Sequence, residues 1–141
     1  MGVQGFERWK SNWRVLAPGG AVRIDVGGSG NEGAHDVSLA PRTPVVLVAA
    51  GRRGGRRLRA FAREARIELV REYLAFPSAE APAYLVENDP VTGRLFVKNV
   101  LAAPPGAPFV LRSAVALFRR LATPRALEAL APGRVAVGRT T

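Results

Sequence analysis

Arginines surround a glycine-containing turn near the middle of the chain, in the segment Gly51-Arg52-Arg53-Gly54-Gly55-Arg56-Arg57-Leu58-Arg59. An apolar segment precedes this turn, and a segment whose apolar residues recur at helical spacing follows it. The backbone N–H groups and the positive end of the helix dipole at such a junction attract an anion. The pattern predicts that a phosphate, a sulfate, a carboxylate or a nucleic-acid backbone binds to Arg52, Arg53, Arg56, Arg57 and Arg59.

The positive charge of the chain is concentrated around the same turn. The 141 residues include 21 basic and 11 acidic side chains, which gives a net charge of +10. Eight arginines and three glutamates lie between Gly51 and Glu72, so this segment carries +5, half of the total. Such charge predicts a polyanionic partner. The alternative is that codon usage produced these arginines and that they form a solvated helix face. The glycine spacing matches neither the dinucleotide fingerprint nor the phosphate loop, which favours this alternative.

A second group of candidate residues follows the segment Ala21-Val22-Arg23-Ile24-Asp25-Val26, which alternates like a strand. Glycines after this segment allow a ligand to approach the backbone, and a carboxylate at its end accepts hydrogen bonds from an amine or a hydroxyl group. These candidate residues are Asp25, Gly27, Gly28 and Gly30. The alternative is a flexible loop after an edge strand, with the carboxylate exposed to solvent.

Nucleophilic and metal chemistry have little support in the sequence. Ser29 or Ser38 near His35 and Asp36 provides the residue types of a catalytic triad, but nothing in the sequence brings them together. The chain has no cysteine and one histidine, which excludes a disulfide framework, a cysteine nucleophile and a zinc site with several His or Cys ligands. We therefore expect no bound metal.

The elements that must position these residues are separated by Gly and Pro. The predicted units are an N-terminal segment and turn at residues 1–20, a glycine-rich loop at 27–43, a strand–helix–strand core at 44–76, and a strand, helices and an edge strand at 83–137. Residues 45–50 are a continuous apolar run, typical of a strand buried on both faces. For residues 67–76 a continuing helix is the alternative, which the strand formers Ile67, Val70 and Tyr73 disfavour.

Three helices are predicted in the C-terminal part of the chain. Asp89-Pro90 and Thr123-Pro124 each open a helix with the first side chain as its cap. The helix between them, over residues 108–121, is expected to turn its apolar face to the sheet, with a position on a membrane surface as the alternative. Residues 134–137 are predicted to form an edge strand.

The sequence also bears on partners and location. Trp9 and Trp13 lie four residues apart and form either a stripe that binds a partner protein or part of the packing of the domain. The longest apolar run, residues 45–50, is far below the ~18 residues that cross a bilayer, and no targeting signal is recognised. We expect a cytoplasmic protein without a transmembrane segment.

The segment Trp13-Arg14-Val15-Leu16-Ala17-Pro18-Gly19-Gly20-Ala21-Val22-Arg23-Ile24 leads through a Pro-Gly-Gly turn into a strand, and a later helix and strand end in Phe76-Pro77-Ser78. These stretches resemble the later part of the Rossmann-like domain of class I S-adenosylmethionine-dependent methyltransferases. The segment Ile24-Asp25-Val26-Gly27-Gly28-Ser29-Gly30 resembles the cofactor loop of that family, Asp-x-Gly-x-Gly-x-Gly, with one residue fewer.

The resemblance implies S-adenosylmethionine as the cofactor and the Asp25 to Gly30 segment as its binding loop. It also implies a truncated or degenerate methyltransferase, and no acidic residue follows residues 45–50 to hold a ribose. We therefore expect a small single α/β domain, an incomplete Rossmann-like fold whose central, partly parallel sheet is flanked by helices. The expected function is that of a transferase-like domain; the alternative is a non-enzymatic basic module that binds nucleic acid or another polyanion through residues 52–66.

Overall fold

The structure, a computed structural model, describes residues 12–17, 19–27, 39–103 and 105–141. The elements in these residues are a 3₁₀ helix Asn12–Leu16, β1 Val22–Asp25, β2 Pro44–Ala50, α1 Gly54–Glu64, β3 Ile67–Phe76, β4 Tyr84–Glu87, α2 Pro90–Asn99, α3 Phe109–Leu121, α4 Pro124–Leu130 and β5 Gly133–Thr140. The predicted strand–helix–strand core is confirmed as β2, α1 and β3. Over the described residues the chain is a small single-domain α/β protein.

The apolar sequence of β2 places this strand in the middle of the core. Val45, Leu47 and Ala49 point to one face of the sheet and pack beneath α1. Val46 and Val48 point to the opposite face, where the 3₁₀ helix packs. Because successive strand residues alternate between faces, a strand that is apolar throughout must be covered on both sides.

The sheet has the strand order β1-β2-β5-β3-β4 within the described residues. β1 and β2 are parallel, whereas the other three neighbouring pairs are antiparallel. The prediction of a partly parallel sheet flanked by helices is therefore confirmed. β2 and β3 run in the same direction, but β5 lies between them, so the hydrogen-bonded parallel pair is at the edge of the sheet and not at its centre.

The last strand corrects the prediction of an edge strand over residues 134–137. β5 is the central strand and pairs with β2 on one side and β3 on the other. Val135 and Ala136 are fully buried. Two arginines and two glycines make this segment too polar for a central strand by composition, but Arg134 finds carboxylate partners inside the fold.

α3 forms over nearly the predicted range but does not cover the sheet as expected. None of its described side chains is buried. Val115 and Phe118 are half-buried, and Leu111 is 43% exposed. Phe118 packs against the small cluster around Leu74 and Leu127. Like the other helices of the described residues, α3 falls short of the length and apolarity that a membrane crossing requires.

The predicted caps of α2 and α4 are confirmed. The Asp89 carboxylate accepts hydrogen bonds from the N–H groups of Val91 and Thr92, at 2.8 and 3.1 Å. The Thr123 hydroxyl accepts one from the N–H group of Ala126, at 3.2 Å. Each cap satisfies backbone donors that the first turn of a helix leaves free, and so it fixes where the helix begins.

Gly133→Ala is expected to destabilise the fold. A Cβ atom at this position would lie 2.6 Å from the Cα atom and 2.7 Å from the N atom of Ala79, so backbone would have to move. We expect the free energy of unfolding, measured in urea, to fall by about 1–3 kcal/mol. Gly19→Ala is the control, because no described heavy atom lies within 4 Å of its Cβ position. An unchanged urea midpoint for Gly133→Ala would contradict this packing.

Candidate functional site

The carboxyl ends of three strands meet at one edge of the sheet. β1, β2 and β3 run in the same direction and end at Asp25, Ala50 and Phe76. In open α/β sheets, ligands bind in crevices outside the carboxyl ends of strands. α1 begins at this edge, immediately after the turn that follows β2. Two polar cavities lie here, and together they contain most of the predicted site residues that the structure describes.

The first cavity has a volume of about 360 Å³ and lies beside the N-terminus of α1. Its lining residues are Arg52, Arg53, Gly55, Arg56, Arg59, Arg125, Glu128, Ala129 and Arg134. We call it the arginine cavity. Four of the five arginines that the sequence predicts as anion ligands line it, and Arg57 does not.

The first turn of α1 adds to the positive character of the arginine cavity. Arg53 occupies the cap position and makes no side-chain capping hydrogen bond, and the first turn contains no acidic residue. The nearest carboxylate comes from another element, since a Cβ atom at Gly55 would lie 3.5 Å from Oε1 of Glu72. Gly55 lines the cavity without a side chain, and the Gly54 N–H group before it donates a hydrogen bond to the Gly51 carbonyl, at 2.9 Å.

Two glutamates hold two of the cavity arginines in place. Glu72 of β3 accepts hydrogen bonds from Arg59 at 3.0 and 3.1 Å and from Arg134 at 3.1 Å. The Glu128 carboxylate of α4 lies 3.6 Å from Arg59 and 3.3 Å from Arg134. The hydrogen bond with Glu72 is the largest cause that raises the pKa of Arg59 above its ordinary value. This network joins α1, β3, α4 and β5 beneath the cavity.

The remaining arginines of the cavity have no ion-pair partner among the described residues. They are Arg52, Arg53, Arg56 and Arg125. The two glutamates balance Arg59 and Arg134, so the other four cavity arginines have no compensating carboxylate in the part of the chain that the structure describes. Arg125 lies in the first turn of α4, where the helix dipole disfavours a cation. A bound anion would neutralise this excess charge.

The second cavity, of about 320 Å³, lies at the carboxyl ends of the parallel strands β1 and β2. Its lining residues are Arg23, Asp25, Val26, Gly27, Val48, Ala50, Ala79 and Glu80, and we call it the carboxylate cavity. Asp25 forms an ion pair with Arg23 at 2.8 Å, and 62% of its side chain is exposed. Two of the predicted cofactor residues thus line a cavity, whereas Gly28 and Gly30 lie outside the described residues.

Arg57 connects α1 to the ends of both parallel strands. Its guanidinium group donates hydrogen bonds to the carbonyl of Gly27, at 3.4 Å, and to the carbonyl of Ala50. Gly27 has a φ of +82°, and a Cβ atom there would lie 2.6 Å from Nη1 of Arg57. The positive φ favours glycine at this position, and any larger residue would also displace the Arg57 guanidinium group. Arg57 therefore makes a structural contact between α1 and the strand ends, and it does not line the arginine cavity with the other predicted arginines.

Residues distant in the sequence complete the arginine cavity, and no sequence pattern identified them. They are Glu72, Arg125, Glu128, Ala129 and Arg134. The sequence contained one signal for these residues, the arginine at the start of β5, because an arginine that is buried in a strand requires a carboxylate partner. Arg134 precedes the apolar residues of β5 and is only 4% exposed. Nothing in the sequence identified which glutamates would reach it.

The other residues considered for chemistry contribute no site within the described structure. Trp9, Ser29, His35, Asp36 and Ser38 lie outside the described residues. The Trp13 side chain is half-buried and packs against the sheet, with the Arg23 guanidinium 5.7 Å from its ring centroid. In residues 12–17, 19–27, 39–103 and 105–141, no group of three acidic or imidazole side chains is placed to hold a metal ion.

Comparisons with known proteins assign the chain to no family. No protein-family model matches it, and neither the curated proteins nor the solved structures give a significant match. The resemblance to methyltransferases therefore stays a prediction. The function has to be inferred from what the two cavities can bind.

Glu72→Gln is expected to destabilise the protein, because it removes a carboxylate from a buried guanidinium group. Arg134 would keep only the Glu128 carboxylate, at 3.3 Å. We expect the free energy of unfolding in urea to fall by about 1–3 kcal/mol. Glu68→Gln on the same strand is the matched control, since its ion pair with Arg139 is exposed and should leave the urea midpoint unchanged. Equal shifts for both variants would argue against the buried network.

Proposed function

We propose that this protein binds the phosphate backbone of a nucleic acid and that the arginine cavity holds one phosphate group. The observation that supports this function is the set of arginines without ion-pair partners in the described residues, beside a helix N-terminus without a side-chain cap. These arginines are Arg52, Arg53, Arg56 and Arg125. Guanidinium groups donate paired hydrogen bonds that match the oxygens of a phosphate. The Gly54 N–H group already donates to the Gly51 carbonyl, so the further donors of the first turn of α1 are the N–H groups of Gly55 and Arg56.

A polymeric ligand is favoured over a small anion because positive charge continues outside the cavity. Arg63 and Arg66 are exposed at the far end of α1, and the whole chain carries +10. A polyanion that covers several arginines releases condensed counterions, which adds to its affinity. No aromatic residue lines the arginine cavity of the described structure, so bases have no platform to stack on. The proposed contact is therefore with the backbone and independent of base sequence.

Nucleic-acid affinity should fall steeply with salt and with loss of the cavity arginines. The double variant Arg52→Ala/Arg53→Ala is expected to bind a mixed-sequence oligonucleotide roughly tenfold more weakly at low salt. The slope of log affinity against log salt concentration should also decrease by about 1, because the contact with the one phosphate in the cavity is lost. Fluorescence anisotropy of a labelled oligonucleotide measures both quantities.

A matched pair of variants separates the cavity from general positive charge. Arg56→Ala and Arg63→Ala remove the same charge from the same helix, but only Arg56 lines the cavity. The first variant should weaken binding by about fivefold more than the second, on the scale of one charge-assisted hydrogen bond. Equal losses would place the contact elsewhere on the basic surface, and affinity that does not change with salt would contradict a phosphate contact.

We infer a second candidate function, transfer of a methyl group from S-adenosylmethionine, from the carboxylate cavity together with the family resemblance. Asp25 and Glu80 supply carboxylate acceptors of the kind that bind ribose hydroxyls or an amino group. Gly27 leaves the backbone open to a ligand at the ends of parallel strands, where nucleotides bind in related architectures. When bound, this cofactor supplies an activated methyl group. Asp25 would have to exchange its ion pair with Arg23 for the ligand.

Isothermal titration calorimetry with S-adenosylmethionine and S-adenosylhomocysteine tests the second candidate. Folded protein should release or absorb heat on titration, and Asp25→Asn should weaken binding by about tenfold, because a charged hydrogen-bond acceptor is lost. Arg52→Ala/Arg53→Ala is the control and should bind the cofactor normally. Folded protein that gives no heat with either ligand at millimolar concentration would remove this candidate and leave the nucleic-acid proposal intact.

A further inference from the structure

α3 carries an apolar stripe that no other described residue covers. The stripe consists of Val110, Ala114, Leu117 and Leu121, which recur at the spacing of three or four residues that places them on one side of a helix. Val110 is 78%, Leu117 58% and Leu121 68% exposed. The contacts of α3 with the domain come instead from neighbouring positions such as Phe118. The apolar surface of α3 is therefore wider than the part that packs against the rest of the domain.

The chain around α3 is basic and lacks any acidic side chain. Between residues 90 and 127 there are six arginines and lysines and no aspartate or glutamate. Arg112, Arg119 and Arg120 lie on α3 itself, and none of them forms an ion pair among the described residues. Arg119 donates a hydrogen bond to the carbonyl of Lys98, which orients its guanidinium group without neutralising it.

Charge complementarity decides which partner the stripe fits. A second copy of this chain would bring two basic segments together, which like-charge repulsion disfavours. A nucleic acid offers negative charge but no apolar surface for exposed leucine side chains. A bilayer with anionic lipids offers both an acyl region and a negative surface potential. We propose that α3 is an interfacial helix that docks on the surface of an anionic lipid bilayer.

The dimensions of a helix agree with this mode of docking. A helix is about 10–12 Å across with its side chains. The Debye length at physiological ionic strength is about 8 Å, so Arg120, which lies on the flank of α3 about a quarter turn around the helix axis from the stripe, feels the potential of a surface that the stripe touches. Arg112 and Arg119 lie on the opposite side of the helix and contribute less. Each basic residue near an anionic surface strengthens binding by about fivefold, and the apolar stripe adds the burial of leucine and valine side chains.

An apolar cavity next to α3 extends the surface available to lipid. It has a volume of about 730 Å³ and is lined by residues of β3, β4 and the helices α2, α3 and α4. Phe118, the residue after Leu117, is one of its walls, and Phe76, Tyr84 and Phe96 provide further aromatic surface. Cavities of this size and apolar lining bind drug-sized or chain-like apolar molecules. An acyl chain is the lipid group that matches this lining.

A single fluorophore on α3 tests the docked orientation. The chain has no cysteine, so Leu117→Cys and Ala116→Cys each give one labelling position. An environment-sensitive nitrobenzoxadiazole label at position 117 should shift to the blue with vesicles that contain phosphatidylglycerol. The label at position 116, on the polar side of the helix, should not shift, and phosphatidylcholine vesicles should change neither. Equal responses at both positions, or no preference for the anionic vesicles, would overturn the proposal.

Vesicle co-sedimentation supplies the affinity and the remaining controls. Leu117→Gln/Leu121→Gln keeps the charge and should weaken binding at least about tenfold, because two apolar side chains no longer insert. Val70→Gln, which removes an exposed valine from β3, should bind as the unmodified chain does. If the protein has the mass of a dimer in solution and the emission of the label at position 117 is already shifted without vesicles, the stripe mediates self-association. That result would overturn the proposal. Loss of the shift in Arg52→Ala/Arg53→Ala would place the lipid contact at the arginine cavity and would equally overturn it.

Discussion

The position of β5 between β2 and β3 is the constraint on which the rest of the structure depends. This strand brings Arg134 into the interior beneath α1, where the guanidinium group is almost completely buried. A charge in that position requires acidic partners, and Glu72 and Glu128 provide them. The same two carboxylates then hold Arg59, which lines the arginine cavity. The centre of the sheet and the floor of the candidate site therefore share one ion network.

This arrangement divides the arginines of the central segment into different tasks. Arg59 is neutralised by glutamates, and Arg57 is used to join α1 to the ends of β1 and β2. Arg52, Arg53 and Arg56 have no such ties among the described residues and surround the N-terminus of α1. The local excess of positive charge is therefore partly structural. Only the arginines that the fold leaves unbalanced are candidates for binding a ligand.

Features fixed by neighbouring residues could be predicted from the sequence, and features fixed by distant contacts could not. The caps at Asp89 and Thr123 depend on backbone groups two or three residues away, and both were identified correctly. The strand–helix–strand core follows from apolar periodicity in the same way. Arg134 pairs with Glu72 across 62 positions of the chain. Local sequence patterns therefore could predict neither the central position of β5 nor the ion network beneath the arginine cavity. The exposure of α3 was missed because its apolar spacing fits a buried helix equally well.

The strand order also has a consequence for how the chain folds during synthesis. β1 pairs with β2, and β3 pairs with β4, but these two ribbons touch through hydrogen bonds only by way of β5 in the described sheet. Two-stranded ribbons are marginal on their own, and the eight residues of β5 follow all the other described elements in the chain. Until those residues leave the ribosome, β2 and β3 each present an open edge that can pair with another chain. During synthesis, the chain is therefore most exposed to aggregation in the interval before β5 can pair.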